Sequence, residues 1–189
     1  MPSLRKPSVP AAVVIFLLVY FCSLFIWIQV KNYYGYAVTV AASEIVGGVK
    51  DAKFTKAEGK GEVIEATFAP LTGYTETLID IPVVTSTYTF NAPLTLAVMG
   101  GLYLFLRRKK RAYSEALLIL VSVHLLYVCS LELKELTEVL MNRGFATVSV
   151  SRLAVYQFLW GFMDNMVIRF EPFLIGFYMF LRFRKPAAE

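Results

Sequence analysis

"VPAAVVIFLLVYFCSLFIWIQV", Val9 to Val30, runs for 22 residues without a charge, and its reading decides the fold. At about 1.5 Å per helical residue such a run covers the ~30 Å hydrocarbon core of a bilayer. A secretory signal is the competing reading. It fits poorly, because the apolar run exceeds a signal's core and the nearest small-residue cleavage candidate, "VAAS" at Val40 to Ser43, lies far past its end. Cys22 follows Tyr20 and Phe21, so no small-residue lipoprotein box precedes it. The stretch reads as an uncleaved anchor.

The whole chain agrees with that reading. Of its 189 residues 57% are hydrophobic and 17% charged, where soluble domains carry about a quarter charged residues. The formal charge of +5 would point to nucleic acid only if the basic residues formed a patch on a soluble face. Instead Arg5-Lys6, "RRKKR" at 107–111 and "RFRK" at 182–185 each abut an apolar segment. That distribution anchors helices to a lipid bilayer, and nucleic acid is excluded as a partner.

Three further spans follow. Phe90 to Leu106, "FNAPLTLAVMGGLYLFL", is short unless "VVTSTYT" before it joins the helix, and Pro93 suits a first helical turn. Ala112 to Leu131, "AYSEALLILVSVHLLYVCSL", is the third. Leu153 to Leu181 is the fourth; it exceeds what a bilayer needs and must tilt, kink or begin in the interface. Arg5 and Lys6, then Arg107, Arg108, Lys109, Lys110 and Arg111, then Arg182, Arg184 and Lys185 alternate so that all three clusters face the cytoplasm. Residues 1–8, 107–111 and 182–189 are therefore expected inside, and 31–89 and 132–152 outside.

The external segment 31–89 is the only piece large enough for a module. "YAVTVAASEIVGGV" puts Val38, Ala41, Ala42, Ile45 and Val49 at helical spacing and stops at Gly47-Gly48, which predicts a short amphipathic helix near the membrane surface. "DAKFTKAEGKGEVIEATFAP" alternates on both sides of "EGKG" and predicts a β-hairpin, and "YTETLIDIPVV" supplies a third strand. So small a module leans on the bilayer, the neighbouring spans or a partner. The expected fold class is an α-helical integral membrane protein: four transmembrane helices, with a small extracytoplasmic α+β module between the first and second.

No motif for an enzyme is present: no phosphate-cradling glycine loop, no Cys-x-x-Cys, no His-Glu-x-x-His, and one His in the chain. Neither cofactor nor metal is expected. Cys22 and Cys129 lie in apolar spans, where cysteine is a small packing residue. His124, Cys129 and Arg169 match the residue types that exosortases and archaeosortases are thought to use, but in those enzymes the Cys comes first and the spans are more numerous.

The fourth span carries what lipid does not favour. "GFMDNMVIRFEPFLIGFYMFLRFRK" contains Asp164, Asn165, Arg169, Glu171 and Pro172. Arg169 lies 12 residues from Leu181, and His124 lies 12 residues from Ala112, so both stand roughly 18 Å from the cytoplasmic end and could face each other. A mid-bilayer charge costs at least ~2.5–3.5 kcal/mol, so Arg169 is not expected to face lipid. On a regular helix Asp164 and Glu171 share a face with Trp160, while Asn165 and Arg169 share a nearly opposite one. Pro172 removes the bond to the Ile168 carbonyl and can kink the helix between the two sets. His124, Asp164, Asn165, Arg169 and Glu171 are the candidate intramembrane polar site. Its structural reading is that Arg169 pairs with Glu171 across the kink, or with a neighbour, and holds the bundle together; its functional reading is a polar site facing a cavity or a partner's helix. A small transporter or proton-conducting subunit using these residues is the rival function; no inverted repeat supports it.

The layout, the stretch "STYTFNAPLTLAVMGGLYLFLRR" and the terminal "FEPFLIGFYMFLRFR" resemble the small membrane proteins found beside exosortases, in particular exosortase H-associated membrane proteins. The resemblance covers about half of the chain and neither stretch is a catalytic motif. It implies a bacterial inner-membrane accessory to a system that processes proteins with a C-terminal sorting signal, with an exosortase as a possible partner. It assigns no activity to any residue.

Overall fold

A computed structural model describes residues 8–50, 52–71, 77–145 and 147–184; Arg5, Lys6 and Lys185 lie outside them. The chain is mostly helical with one small three-stranded sheet. In order come α1 (Val9–Val49), β1 (Ala52–Lys60), β2 (Val63–Pro70), β3 (Ile79–Val84), α2 (Ser86–Thr89), α3 (Asn91–Leu102), α4 (Lys109–Asn142) and α5 (Val150–Phe162). A π-helical segment (Met163–Ile168) and α6 (Arg169–Phe183) follow. Among the described residues two helices, α1 and α4, are long and apolar enough to cross a membrane.

Four elements differ from the sequence expectation; one is α4, which runs from Lys109 to Asn142, well past the Ala112–Leu131 span and into the 132–152 connection. The amphipathic helix expected after the first apolar run is continuous with it, so α1 reaches 41 residues. Nothing in "KNYYGYAV" breaks a helix apart from Gly35, and one helical glycine costs only about 1 kcal/mol. In the second apolar stretch α3 has 12 residues, with the single turn of α2 before it. In the fourth, the winding widens at Met163–Ile168. Pro172 explains the place: it has no N–H to offer the Ile168 carbonyl and its ring crowds that oxygen, and a wider turn just N-terminal relieves the conflict.

The chain divides into two compact units. One contains Val30–Thr89 and Val121–Arg169 and holds the sheet. Its strands are ordered β1-β2-β3, all antiparallel. The hairpin closes on Gly61-Glu62, and Gly61 takes φ +68°, which explains glycine at the first loop position. Ile64↔Val83, Ala66↔Ile81 and Phe68↔Ile79 are cross-strand partners and all six are buried. This face joins one core with Val38, Ala42 and Val46 of α1 and Val128, Leu136 and Leu140 of α4. The sheet thus completes its core with the C-terminal parts of two long helices.

The other unit contains the residues up to Gln29, Phe90–Leu120 and those from Phe170 onward. Ala92, Met99, Leu106, Ala116, Ile175, Met179 and Phe183 form its core. Glycines set the helix spacing: a Cβ on Gly100 would stand 2.8 Å from Val19 Cγ2, and one on Gly176 would overlap Val98 Cγ1. Large apolar side chains point outward, among them Val14, Leu18, Phe21, Phe25, Phe173 and Phe177. Arg107 donates its backbone N–H to the Phe183 carbonyl at 2.7 Å, and Leu106 pairs with Arg184. The basic loop is thereby fixed to the end of α6.

Candidate functional site

In the sheet-bearing unit α4 carries a line of buried polar groups. His124 is fully buried, and its Nδ1 shares a 2.7 Å hydrogen bond with the Tyr34 hydroxyl. The rings of Tyr34 and Tyr88 meet the imidazole edge-on at 5.6 and 5.1 Å. Tyr88 lies 5.5 Å from Tyr127, whose hydroxyl donates to Asp164 Oδ1 at 3.3 Å. His124 and Asp164 are therefore brought to one cluster, with tyrosines between them. Two turns further along α4 the fully buried Glu132 shares a 2.7 Å hydrogen bond with Ser43.

The remaining residues of the expected site separate. Asn165 is exposed and donates its side-chain amide to the Gly161 carbonyl at 3.0 Å, supplying a donor where the winding widens. Arg169 is exposed and has no ion pair among the described residues. Glu171 belongs to the other unit, is buried, and accepts from Asn91 Nδ2 at 2.9 Å. The expected Arg169–Glu171 pair gives way to these separate environments. The π-helical turn changes the angle at which each later side chain projects, so the faces counted on a regular helix no longer hold. Arg169 is exposed, whereas His124 is buried against tyrosines.

Cys129 turns its thiol toward the Ala42 carbonyl at 3.9 Å, and Cys22 is exposed. Cys129, His124 and Arg169 thus engage different surroundings.

Helix α5 is held at its rim. It buries no residue. Lys50 sits over the Tyr156 ring at 4.1 Å, Lys134 over Trp160 at 4.6 Å, and Gln157 donates to Glu138 at 2.9 Å. Phe158 and Phe162 stack at 6.2 Å and stay exposed, as does Met166. Arg169, in the same unit, is exposed as well.

Tyr34, Tyr88, Tyr127, Ser43, Glu132 and Asn91 were not anticipated. A signal existed for Glu132 alone: it continues the four-residue spacing His124, Val128, Glu132 past the end of the apolar run. No family model, curated protein or solved structure matches this chain.

Proposed function

We propose that this chain is a non-enzymatic accessory protein of the bacterial inner membrane, with four spans and both termini cytoplasmic, that binds another membrane protein in an exosortase-type sorting system. The observation that carries the binding role is Arg169. It opens α6, whose 15 residues put it about 21 Å from Phe183 along the helix. A guanidinium at that depth costs at least ~2.5–3.5 kcal/mol unless it meets a counter-charge, and its own chain supplies none among the described residues. The neighbouring Phe158, Phe162 and Met166 are apolar and exposed, which suits an apolar partner helix presenting a carboxylate.

Outward-facing Val14, Leu18, Phe21 and Phe25 support the membrane location, because a patch of that size is not sustained in water. The unbroken winding of α5, the π segment and α6, and the α2–α3 pair, support spans beyond α1 and α4. The exosortase setting rests on the two resembling sequence stretches alone.

Copurification of the full chain from its own membranes in mild detergent tests the reading. A stoichiometric membrane partner, lost in Arg169→Leu and kept in Arg169→Lys, is the expected result. A lone homo-oligomer that conducts ions in liposomes would replace it with the transporter reading. A reporter after Lys185 should be cytoplasmic and one near Gly59 external; both on one side would overturn the four-span topology.

A further inference from the structure

We propose that the basic end of the α3-bearing unit is a binding site for the phosphate of an anionic phospholipid. The inference rests on the membrane reading, but not on the partner or the exosortase system. Arg107, Arg108, Arg111 and Arg182 converge with Phe183 on one cavity of about 310 Å³. Topology requires basic residues in a loop; it does not require arginines from two distant segments to line one opening.

The charge balance is unfavourable without an anion. Glu115 takes Arg111 at 2.8 Å and Arg182 at 3.4 Å, and among the described residues this one carboxylate leaves most of the positive charge uncompensated. Lys109, Lys110 and Arg111 also begin α4, whose first turn holds no acidic residue. Cations there oppose the helix dipole, whereas a phosphate would satisfy both the dipole and the forked guanidinium donors. Arg108 holds φ +46°, a strained position for a side chain. The 2.7 Å bond from Arg107 N–H to the Phe183 carbonyl fixes the loop in that form.

The ligand chemistry is a phosphate group, and its apolar surroundings favour a lipid over a soluble ion. A second cavity of about 890 Å³ shares Arg108 and Arg111 and is walled by Tyr103, Leu106 and Tyr113. A basic mouth joined to an aromatic and aliphatic wall fits a headgroup with its glycerol and upper acyl chain.

The test is native mass spectrometry of the full chain released from nanodiscs of mixed phosphatidylglycerol and phosphatidylcholine. Wild type is expected to retain one phosphatidylglycerol and no phosphatidylcholine. Arg108→Gly should retain it about tenfold less, as should Arg111→Gln, since each removes a charge-assisted bond. Lys56→Gln, with the same charge change on the sheet, should behave as wild type. Arg108→Gly removes the Cβ at φ +46°, so its melting temperature should hold or rise, which separates lost binding from lost folding. If that variant melts lower, Arg111→Gln, in regular helix, decides. Equal retention of both lipids, or unchanged retention in the arginine variants, overturns the proposal. Displacement of the lipid by inorganic phosphate that itself binds would reassign the site to a soluble ion.

Discussion

Glu132 Oε1 stands 2.7 Å from Ser43 Oγ, while the same hydroxyl lies 2.8 Å from the Thr39 carbonyl. A hydroxyl has one proton and cannot donate fully to both. The geometry closes without conflict when the carboxyl itself carries a proton, giving it to Ser43 while Ser43 donates to Thr39. The other carboxyl oxygen, Oε2, is buried without a hydrogen-bond partner. Glu132→Gln should then be tolerated within about 1 kcal/mol, because an amide N–H replaces the acid proton. Ser43→Ala should cost about 1–3 kcal/mol, as it strands both carboxyl oxygens. Thermal unfolding in detergent ranks the two. Equal damage would mean that Glu132 works as a charged carboxylate.

Glu62 in the hairpin loop meets Lys31 of α1 at 2.5 Å. Hydrogen bonds from Lys31 and Ser86 and the Lys31 charge hold its carboxyl below the ordinary value of 4.5. A carboxyl lowered by folding stabilises above its unfolded pKa, and that contribution disappears as the pH falls through the folded one. Amide exchange at Thr85, whose N–H donates to the Glu62 carbonyl at 2.8 Å, should therefore lose its dependence on this pair only under acid conditions. The difference between wild type and Glu62→Gln should be constant from neutral pH to about 5 and vanish below the usual carboxylate range. A difference that shrinks between pH 8 and 6 would exclude the pair as its source.

The hairpin was legible because "EGKG" interrupts two alternating runs, and both alternation and glycine are local signals. The inner face of α1 was legible only in part. Val38 and Ala42 are buried as expected, but Ala41, Ile45 and Val49 are exposed, and Gly35, Thr39, Ser43 and Val46 take their place. Hydrophobic spacing does not register close approach: a Cβ on Gly35 would stand 2.7 Å from Thr85 Cγ2. In the candidate site, His124 and Asp164 stood out because such groups are rare in apolar stretches. Their tyrosine partners did not, since tyrosine is common throughout this chain and depends on tertiary packing for its role. Arg169 and Glu171 do not pair because both lie in α6 beyond the π segment, two residues apart, and residues so spaced do not face each other on a helix.

Gly176 packs against Val98 so closely that a Cβ would overlap Val98 Cγ1. Gly176→Ala should destabilise by about 1–3 kcal/mol, the range for overpacking a filled site. Val98→Ala removes the offending methyl groups and should restore most of the loss when combined with Gly176→Ala. Melting temperatures of the two single variants and the pair measure this. Strict additivity would show that the two residues do not compete for the same space.

Pro172, which favours the widened turn at Met163–Ile168, also bears on Asp164, about two turns before it. Pro172→Ala restores a backbone N–H at residue 172 and removes the proline ring, so regular winding becomes the better solution. Asp164 would then project at a different angle and lose the Tyr127 hydroxyl, now 3.3 Å from its Oδ1. A double-mutant cycle reads that bond directly: Tyr127→Phe and Asp164→Asn should couple by about 0.5–1.5 kcal/mol with Pro172 present. In the Pro172→Ala background the coupling should fall to nearly zero while overall stability stays level or rises. Coupling of equal size in both backgrounds would show that the segment's own residues, with Asn165 capping the Gly161 carbonyl, hold the wide turn without the proline.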